Sequence, residues 1–298
     1  FKPNGLPFTS WRDTFIYLDR AIKAVGKLSW KPLRQKALAK VEAWTLEHQE
    51  YEGDFGGIQP AMFNSLLALH LLGYPKDHPA CVKGMEAVDR FLLEKDGKLW
   101  MQACVSPLWD SAIACNALMD SGMPSDHPAL VKAAEWIISK QVVKRGDWQV
   151  KNPGAEPGGW AFEFYNELYP DTDDTAEILL FLDRVETSDP RWKLSECHRA
   201  MNWLLSMQSK SGGWGAFDVD NDMEVLNEVP FADHKALLDP PTVDVTSRIL
   251  WMLSKWGFKQ QHPQVQRAIK FVKDRQEIDG CWFGRWGVNY IYGTFLAL

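Results

Sequence analysis

Apolar residues recur at intervals of three and four along most of the chain. Cys197, Ala200, Met201, Leu204 and Leu205 form one such stripe, and Val265, Ala268, Ile269 and Val272 form another. That spacing places the apolar side chains on one face of an α-helix. Further helices are expected at about 60–73, 108–121, 174–186 and 243–257, separated by turns such as Ser211-Gly-Gly-Trp-Gly and Asp239-Pro-Pro. No convincing run of alternating apolar and polar residues marks a strand, so the expected class is all-α.

The helical pattern repeats. Lys132-Ala-Ala-Glu-Trp-Ile-Ile to Gln141, Arg199-Ala-Met-Asn-Trp-Leu-Leu to Gln208 and Arg267-Ala-Ile-Lys-Phe-Val-Lys to Gln276 align without gaps, with the glutamines 67 and 68 residues apart. Each segment then passes through a Gly to a Trp, expected to be Trp148, Trp214 and Trp282. Lys40 to Gln49 is a weaker copy ending in Phe55, and a degenerate unit begins at Lys83-Gly84. Repeated helical hairpins stack as an open solenoid or close into an α-α toroid, and periodicity alone leaves both open. The Gln and Trp of each unit read as structural ties between hairpins.

Composition narrows the chemistry. The 298 residues carry a net charge of -6, against a nucleic-acid surface or a polybasic membrane patch. The five cysteines never form a CxxC pair, which fits a reducing compartment. The seven histidines show no ligand spacing, so no metal and no cofactor is expected. No stretch is long and apolar enough to span a membrane. The chain opens on Phe1 and stops inside an apolar helical stretch at Leu298, which reads as clipped at both ends. It uses 15 Trp against 7 Tyr, an unusual appetite for indole rings.

The sharpest local signal is Tyr169-Pro-Asp171-Thr-Asp173-Asp174-Thr-Ala-Glu177, just before the apolar stretch Ile178 to Leu182. One reading is helix capping, with Asp at the cap and Asp174-x-x-Glu177 as a capping-box-like pair. The repeat adds another. Trp109-Asp110, Asp173-Asp174 and Asp244-Val-Thr246 occupy equivalent helix starts, so a closed toroid gathers their carboxylates at one mouth with Arg248. Crowded, buried carboxylates cannot all ionise. One keeps its proton and faces aromatic rings able to stabilise a cation, the equipment for protonating a weak base such as an alkene.

Asp171-Thr-Asp-Asp-Thr-Ala, the Gln-to-Trp repeats and Phe283-Gly-Arg-Trp-Gly-Val-Asn-Tyr-Ile-Tyr-Gly-Thr294 together resemble the squalene-hopene cyclases, over essentially the whole chain. The resemblance implies a class II triterpene cyclase with two α-α barrel domains, of which this chain holds the end of one (1–104) and the first part of the catalytic one (105–298). It implies that Asp173 is the proton donor, flanked by Asp171 and Asp174 and supported by Asp244 and Arg248. Arg248 stands where a His is familiar, and a permanent cation there would hold a neighbouring Asp ionised. Trp109, Phe162, Phe217, Trp286 and Tyr292 match cavity aromatics that bind the folded polyene, Phe217 standing where Tyr is common. Gln59 and Pro60 match the far end of the cavity, and Phe231 the substrate entrance.

The implied reaction is metal-free polycyclisation of squalene, or a related C30 isoprenoid, to hopene- or hopanol-type products. The implied setting is a membrane surface, the cytoplasmic face of a bacterial inner membrane, with a homodimer among the candidate assemblies and the isolated chain inactive. Two other readings stay open. A toroidal glycoside hydrolase would also use paired carboxylates and Trp platforms, and a non-catalytic helical-repeat binding module would need the acidic motif only as a cap.

Overall fold

A computed structural model describes residues 2–27, 31–187, 189, 191, 193–230, 237–287 and 289–298. Its helices are α1 (Trp11–Lys27), α2 (Lys31–Glu47), α3 (Gln59–Leu71), α4 (Pro79–Phe91), α5 (Pro107–Asp120), α6 (Pro128–Ser139), α7 (Thr172–Arg184), α8 (Leu194–Ser206), α9 (Val243–Lys255), α10 (Pro263–Lys273) and α11 (Tyr290–Ala297). The four helices expected near 60, 108, 174 and 243 are therefore α3, α5, α7 and α9. Between α4 and α5 lies a two-stranded antiparallel hairpin, β1 (Leu92–Lys95) and β2 (Lys98–Met101). The hairpin is a strand pair that the sequence pattern did not mark, and the fold remains of the all-α class. Asp96 and Gly97 both take positive φ, 53° and 68°, the backbone an Asp-Gly hairpin turn needs.

In the larger part of the fold α5, α7, α9 and α11 form an inner row, each packed on the next, with α6, α8 and α10 outside them. The row explains the sequence pattern. α7 is buried on almost every side, Thr172 and Asp174 through Leu182 all being covered, as expected for a helix walled by neighbours on both flanks. α8 and α10 carry their apolar stripes inward and remain polar outside. Three outer helices, α4, α6 and α10, begin at a His-Pro pair. At two of these starts the imidazole Nδ1 caps the helix, His78 accepting from the Ala80 N–H and His127 from the Ala129 N–H, each at 3.2 Å.

The repeat glutamines tie hairpin to hairpin. Gln208 Nε2 donates to Gly212 O at 2.8 Å and to Gln264 O, in the first turn of α10, at 2.9 Å, while its Oε1 accepts from Arg267. Gln141 does the same toward Gly158 O, Glu196 O and Arg199, and Gln49 toward Gly53 O and Ala80 O. The unit at Lys83-Gly84 is thus α4, the outer helix that receives the Gln49 tie.

The terminal ring of the Gln141 unit is Trp160, not Trp148. Trp160 Nε1 donates to Ile137 O at 2.7 Å, as Trp214 Nε1 does to Leu204 O at 2.8 Å and Trp282 Nε1 to Val272 O at 2.7 Å. Each of these tryptophans also donates its backbone N–H to a threonine of the next inner helix, Thr175, Thr246 or Thr294. Trp148 sits in an excursion between Gln141 and Gly158 and packs edge-on against Trp203, ring centres 6.0 Å apart.

Candidate active site

The acidic motif begins α7, and its first carboxylate does cap it. Asp171 is the N-cap residue; its Oδ1 accepts from the N–H groups of Asp173 at 2.6 Å and Asp174 at 3.2 Å. The expected Asp174–Glu177 capping pair does not form. Glu177 instead turns away from the helix start, toward α5 and α9. Capping and chemistry coexist: Asp171 fixes the first turn, and that turn delivers Asp173 to a cavity of about 570 Å³.

Asp171, Asp173, Asp174 and Arg248 are polar residues in the cavity wall, and Trp109, Phe162, Phe217, Trp286 and Tyr292 supply its rings, with Ile58, Ile113 and Ala216 between them. The structure thus brings together the five expected aromatics. Gln59 and Pro60 open α3 next to Ile58 but are not among the cavity's lining residues. Phe231 lies outside the described residues. Asp110 does not join the carboxylates. It stays exposed, accepting from Ser106 Oγ at 3.1 Å, so α5 contributes an indole and no charge.

Two buried aspartates set the rings in place. Asp244, 1% exposed, accepts the Trp286 N–H at 2.8 Å. Asp239 accepts three successive N–H groups, from Ala216 at 3.1 Å, Phe217 at 2.6 Å and Asp218 at 2.8 Å, and so fixes the loop that carries Phe217. Asp239 was not singled out in the sequence. Its only visible signal was the Asp-Pro-Pro turn it begins. Phe217 packs edge-on against Trp286, ring centres 6.0 Å apart at 80°.

Arg248 is the hub of the polar wall. Its Nε donates to Asp173 Oδ1 at 2.8 Å, its Nη1 to Glu177 Oε2 and its Nη2 to the Tyr292 hydroxyl at 2.7 Å, while Cζ lies 4.9 Å from the centre of the Trp109 ring. Burial works against the guanidinium's charge, but Asp173 and Glu177 more than restore it, so Arg248 remains a fixed cation.

Burial pushes the Asp173 carboxyl up to about 6; Arg248 pulls it down and Asp244 raises it again. Asp171 is also raised well above the usual range, by burial and then by Asp173, and Asp174 by burial and then by Asp171. Asp174 Oδ1 is buried with no hydrogen-bond partner among the described residues. Burial and neighbouring carboxylates thus push all three carboxyls of the motif toward their protonated forms.

A second acidic group lies nearby. Glu50, Asp54 and Glu163 bring carboxylate oxygens within 4.8 Å of one another, the kind of donor set that could hold a cation. Burial and the neighbouring Glu163 push the Glu50 carboxyl up to about 11. A further cleft of about 780 Å³, with Trp44, His48, Tyr165 and Tyr169 in its wall, shares Gly56 and Asn166 with the first.

An acid at an inner-helix start, facing a pocket of aromatic rings inside an array of helical hairpins, places the chain among proteins of the α-α barrel class. Residues 105–298 match the squalene-hopene cyclase C-terminal domain and residues 2–97 match the N-terminal domain, and the chain belongs to the squalene-hopene cyclase family. It is 43% identical over 281 residues to the squalene–hopene cyclase of Alicyclobacillus acidocaldarius, covering 94% of this chain and 44% of that protein. It is 40% identical to the squalene–hopene cyclase of Zymomonas mobilis, covering 100% of this chain and 48% of the relative. The dammaradiene synthase of Dryopteris crassirhizoma is also 40% identical, over 98% of this chain and 44% of its own. The chain thus spans a little under half the length of the curated relatives it matches.

Proposed function

We propose that the protein of which this chain forms a part cyclises squalene, or a closely related C30 polyene, to hopene- or hopanol-type products. The first α-α barrel would end near residue 104 and the catalytic one begin at 105. The observation that carries the reading is the placement of Asp173, a carboxyl pushed up to about 6, in the wall of a cavity whose other surfaces are mainly aromatic and aliphatic. Asp173 donates its proton to a terminal double bond. The alkene π electrons form the new C–H bond and the carbocation passes to successive double bonds as rings close, until loss of a proton or capture of water ends the sequence. Trp109, Phe162, Phe217 and Trp286 offer π faces to those cations and exclude water that would quench them. A sugar-binding cavity would need hydroxyl-binding groups interleaved with the rings; among the described lining residues the polar side chains are the Asp171, Asp173, Asp174, Arg248 and Tyr292 group and Asn166.

A water-insoluble substrate calls for a membrane surface. None of the described helices is long and apolar enough to cross a membrane, so contact at the cytoplasmic face of a bacterial inner membrane would be by apolar residues on one side of the molecule. Incubation of the full-length protein with squalene, followed by analysis of the extracted lipids, tests the reading. Pentacyclic C30 products are expected, and recovery of unchanged squalene from folded protein would overturn it.

A further inference from the structure

The structure holds a fixed cation against the proposed proton donor, an arrangement that by itself should strip that donor of its proton. Two unit charges at hydrogen-bond distance interact strongly even with generous dielectric screening. An Asp whose only ionic partner were Arg248 would be held as a carboxylate. Arg248 is not free to do this, because Glu177 takes its Nη1 while Asp173 takes its Nε.

We propose that Glu177 is a positioning residue for the acid: by pairing with Arg248 it cancels the guanidinium's charge and leaves Asp173 able to carry a transferable proton. The proposal rests on Asp173 being the donor. Glu177 is not in the cavity wall, so it neither meets the substrate nor replaces the acid. It sits one turn below Asp173 on α7, 5% exposed, and its second oxygen accepts from Asn116 Nδ2 of α5 at 2.8 Å. Asn116 Oδ1 is engaged in turn by Arg184 Nη1 at 3.2 Å. Both Glu177 oxygens thus accept hydrogen bonds, one from the Arg248 guanidinium and one from the Asn116 amide.

The other groups around the acid do not do this work. On α7, Asp171 and Asp174 are pushed toward their neutral forms by burial. On α9, Asp244 also pushes the Asp173 carboxyl up, but it accepts the Trp286 N–H and makes no ion pair with Arg248, so its effect reaches the acid directly and not by neutralising the guanidinium. From α11, Tyr292 accepts from Arg248 without adding a charge, its hydroxyl being raised by burial. In the adjoining loop Asp239 is bound to three amides, and α5 presents only the neutral Trp109 and Asn116. Glu177 is therefore the countercharge in direct contact with Arg248 that is not itself the acid.

The test uses the full-length enzyme and Glu177→Gln, which keeps the size and an acceptor for Asn116 but removes the charge. Turnover should fall with rising pH at a midpoint about one unit or more below the parent's. Above both midpoints kcat should drop at least about tenfold, one pKa unit being a factor of ten in protonated acid, with KM little changed. Glu177→Gln combined with Arg248→Gln removes both charges and should return the midpoint to the parent value or above it. A structural role alone would lower activity without moving the midpoint, so an unmoved or raised midpoint in folded Glu177→Gln overturns the proposal. So does a double variant whose midpoint stays as low as that of the single. Infrared titration of the protonated-carboxyl band, assigned by its loss in Asp173→Asn, reads the same shift without turnover. If squalene is not converted at all, the band still decides the role of Glu177, and the two claims fail separately.

Discussion

Asp173 carries two opposing influences, burial that keeps its proton and a cation 2.8 Å away that withdraws it, and they leave the carboxyl at about 6. The acid works only when protonated, so turnover should be fullest below that value and be lost as pH rises through it. Replacing the carboxyl by the amide in Asp173→Asn keeps size and hydrogen bonding but removes the proton. Cyclisation should fall below detection while circular dichroism and the melting temperature stay near the parent's. In Arg248→His the cation becomes titratable. As the imidazole loses its charge at rising pH, Asp173 holds its proton to higher pH, so the falling limb should broaden toward the alkaline side; superimposable pH-rate profiles would show that residue 248 does not couple to the acid. The triple-Asp motif and Arg248 were legible in the sequence because they stand at helix starts in a repeat. Glu177 reads in the sequence as the capping partner of Asp174, since its actual partners Arg248 and Asn116 lie on other helices and only packing brings them together.

At the scale of the element, the inner helices hold the chemistry and the Gln-to-Trp ties hold the inner helices. The tie requires glycine where ring and backbone meet. A Cβ at Gly213 would lie 2.6 Å from the Phe271 ring of α10, and one at Gly159 2.5 Å from Trp203 of α8. Gly213→Ala should therefore force the hairpins apart and destabilise the fold by about 1–3 kcal/mol, the usual cost of overpacking, read as a lower urea midpoint with unchanged slope. An unaltered midpoint would show that the contact is loose. Periodicity foretold the helices well because an amphipathic stripe is a local property. It misplaced one ring because the excursion after Gln141 carries its own Gly-Asp-Trp148, and only the hydrogen bond to Ile137 distinguishes Trp160 as the counterpart of Trp214. The β1–β2 hairpin was overlooked although Asp96-Gly97 is a strong turn signal, because strands of four residues are too short to display alternation.

Across the whole molecule, the aromatic cavity is assembled from α5, α7, α9, α11 and the loops that Asp239 and Asp244 pin, while much apolar surface stays open. Ile291 and Phe295 of α11 are 87% and 69% exposed, and Trp11 of α1 is 61% exposed. Surfaces of that kind mark faces that other parts of a protein or a membrane cover. The 298-residue chain alone should accordingly self-associate in light scattering and fail to convert squalene, whereas the family-length protein in detergent should be monodisperse and active. A monodisperse, active 298-residue chain would contradict this. The central claim, that Asp173 delivers a solvent-exchangeable proton to a polyene carbon, is tested most directly by turnover of squalene by the full-length enzyme in D2O, with mass spectrometry of the cyclised hydrocarbon. One deuterium per molecule, bound to carbon at the end where cyclisation starts, and no cyclised product from Asp173→Asn, is the predicted result; cyclised hydrocarbon without deuterium, or deuterated product from folded Asp173→Asn, would contradict it.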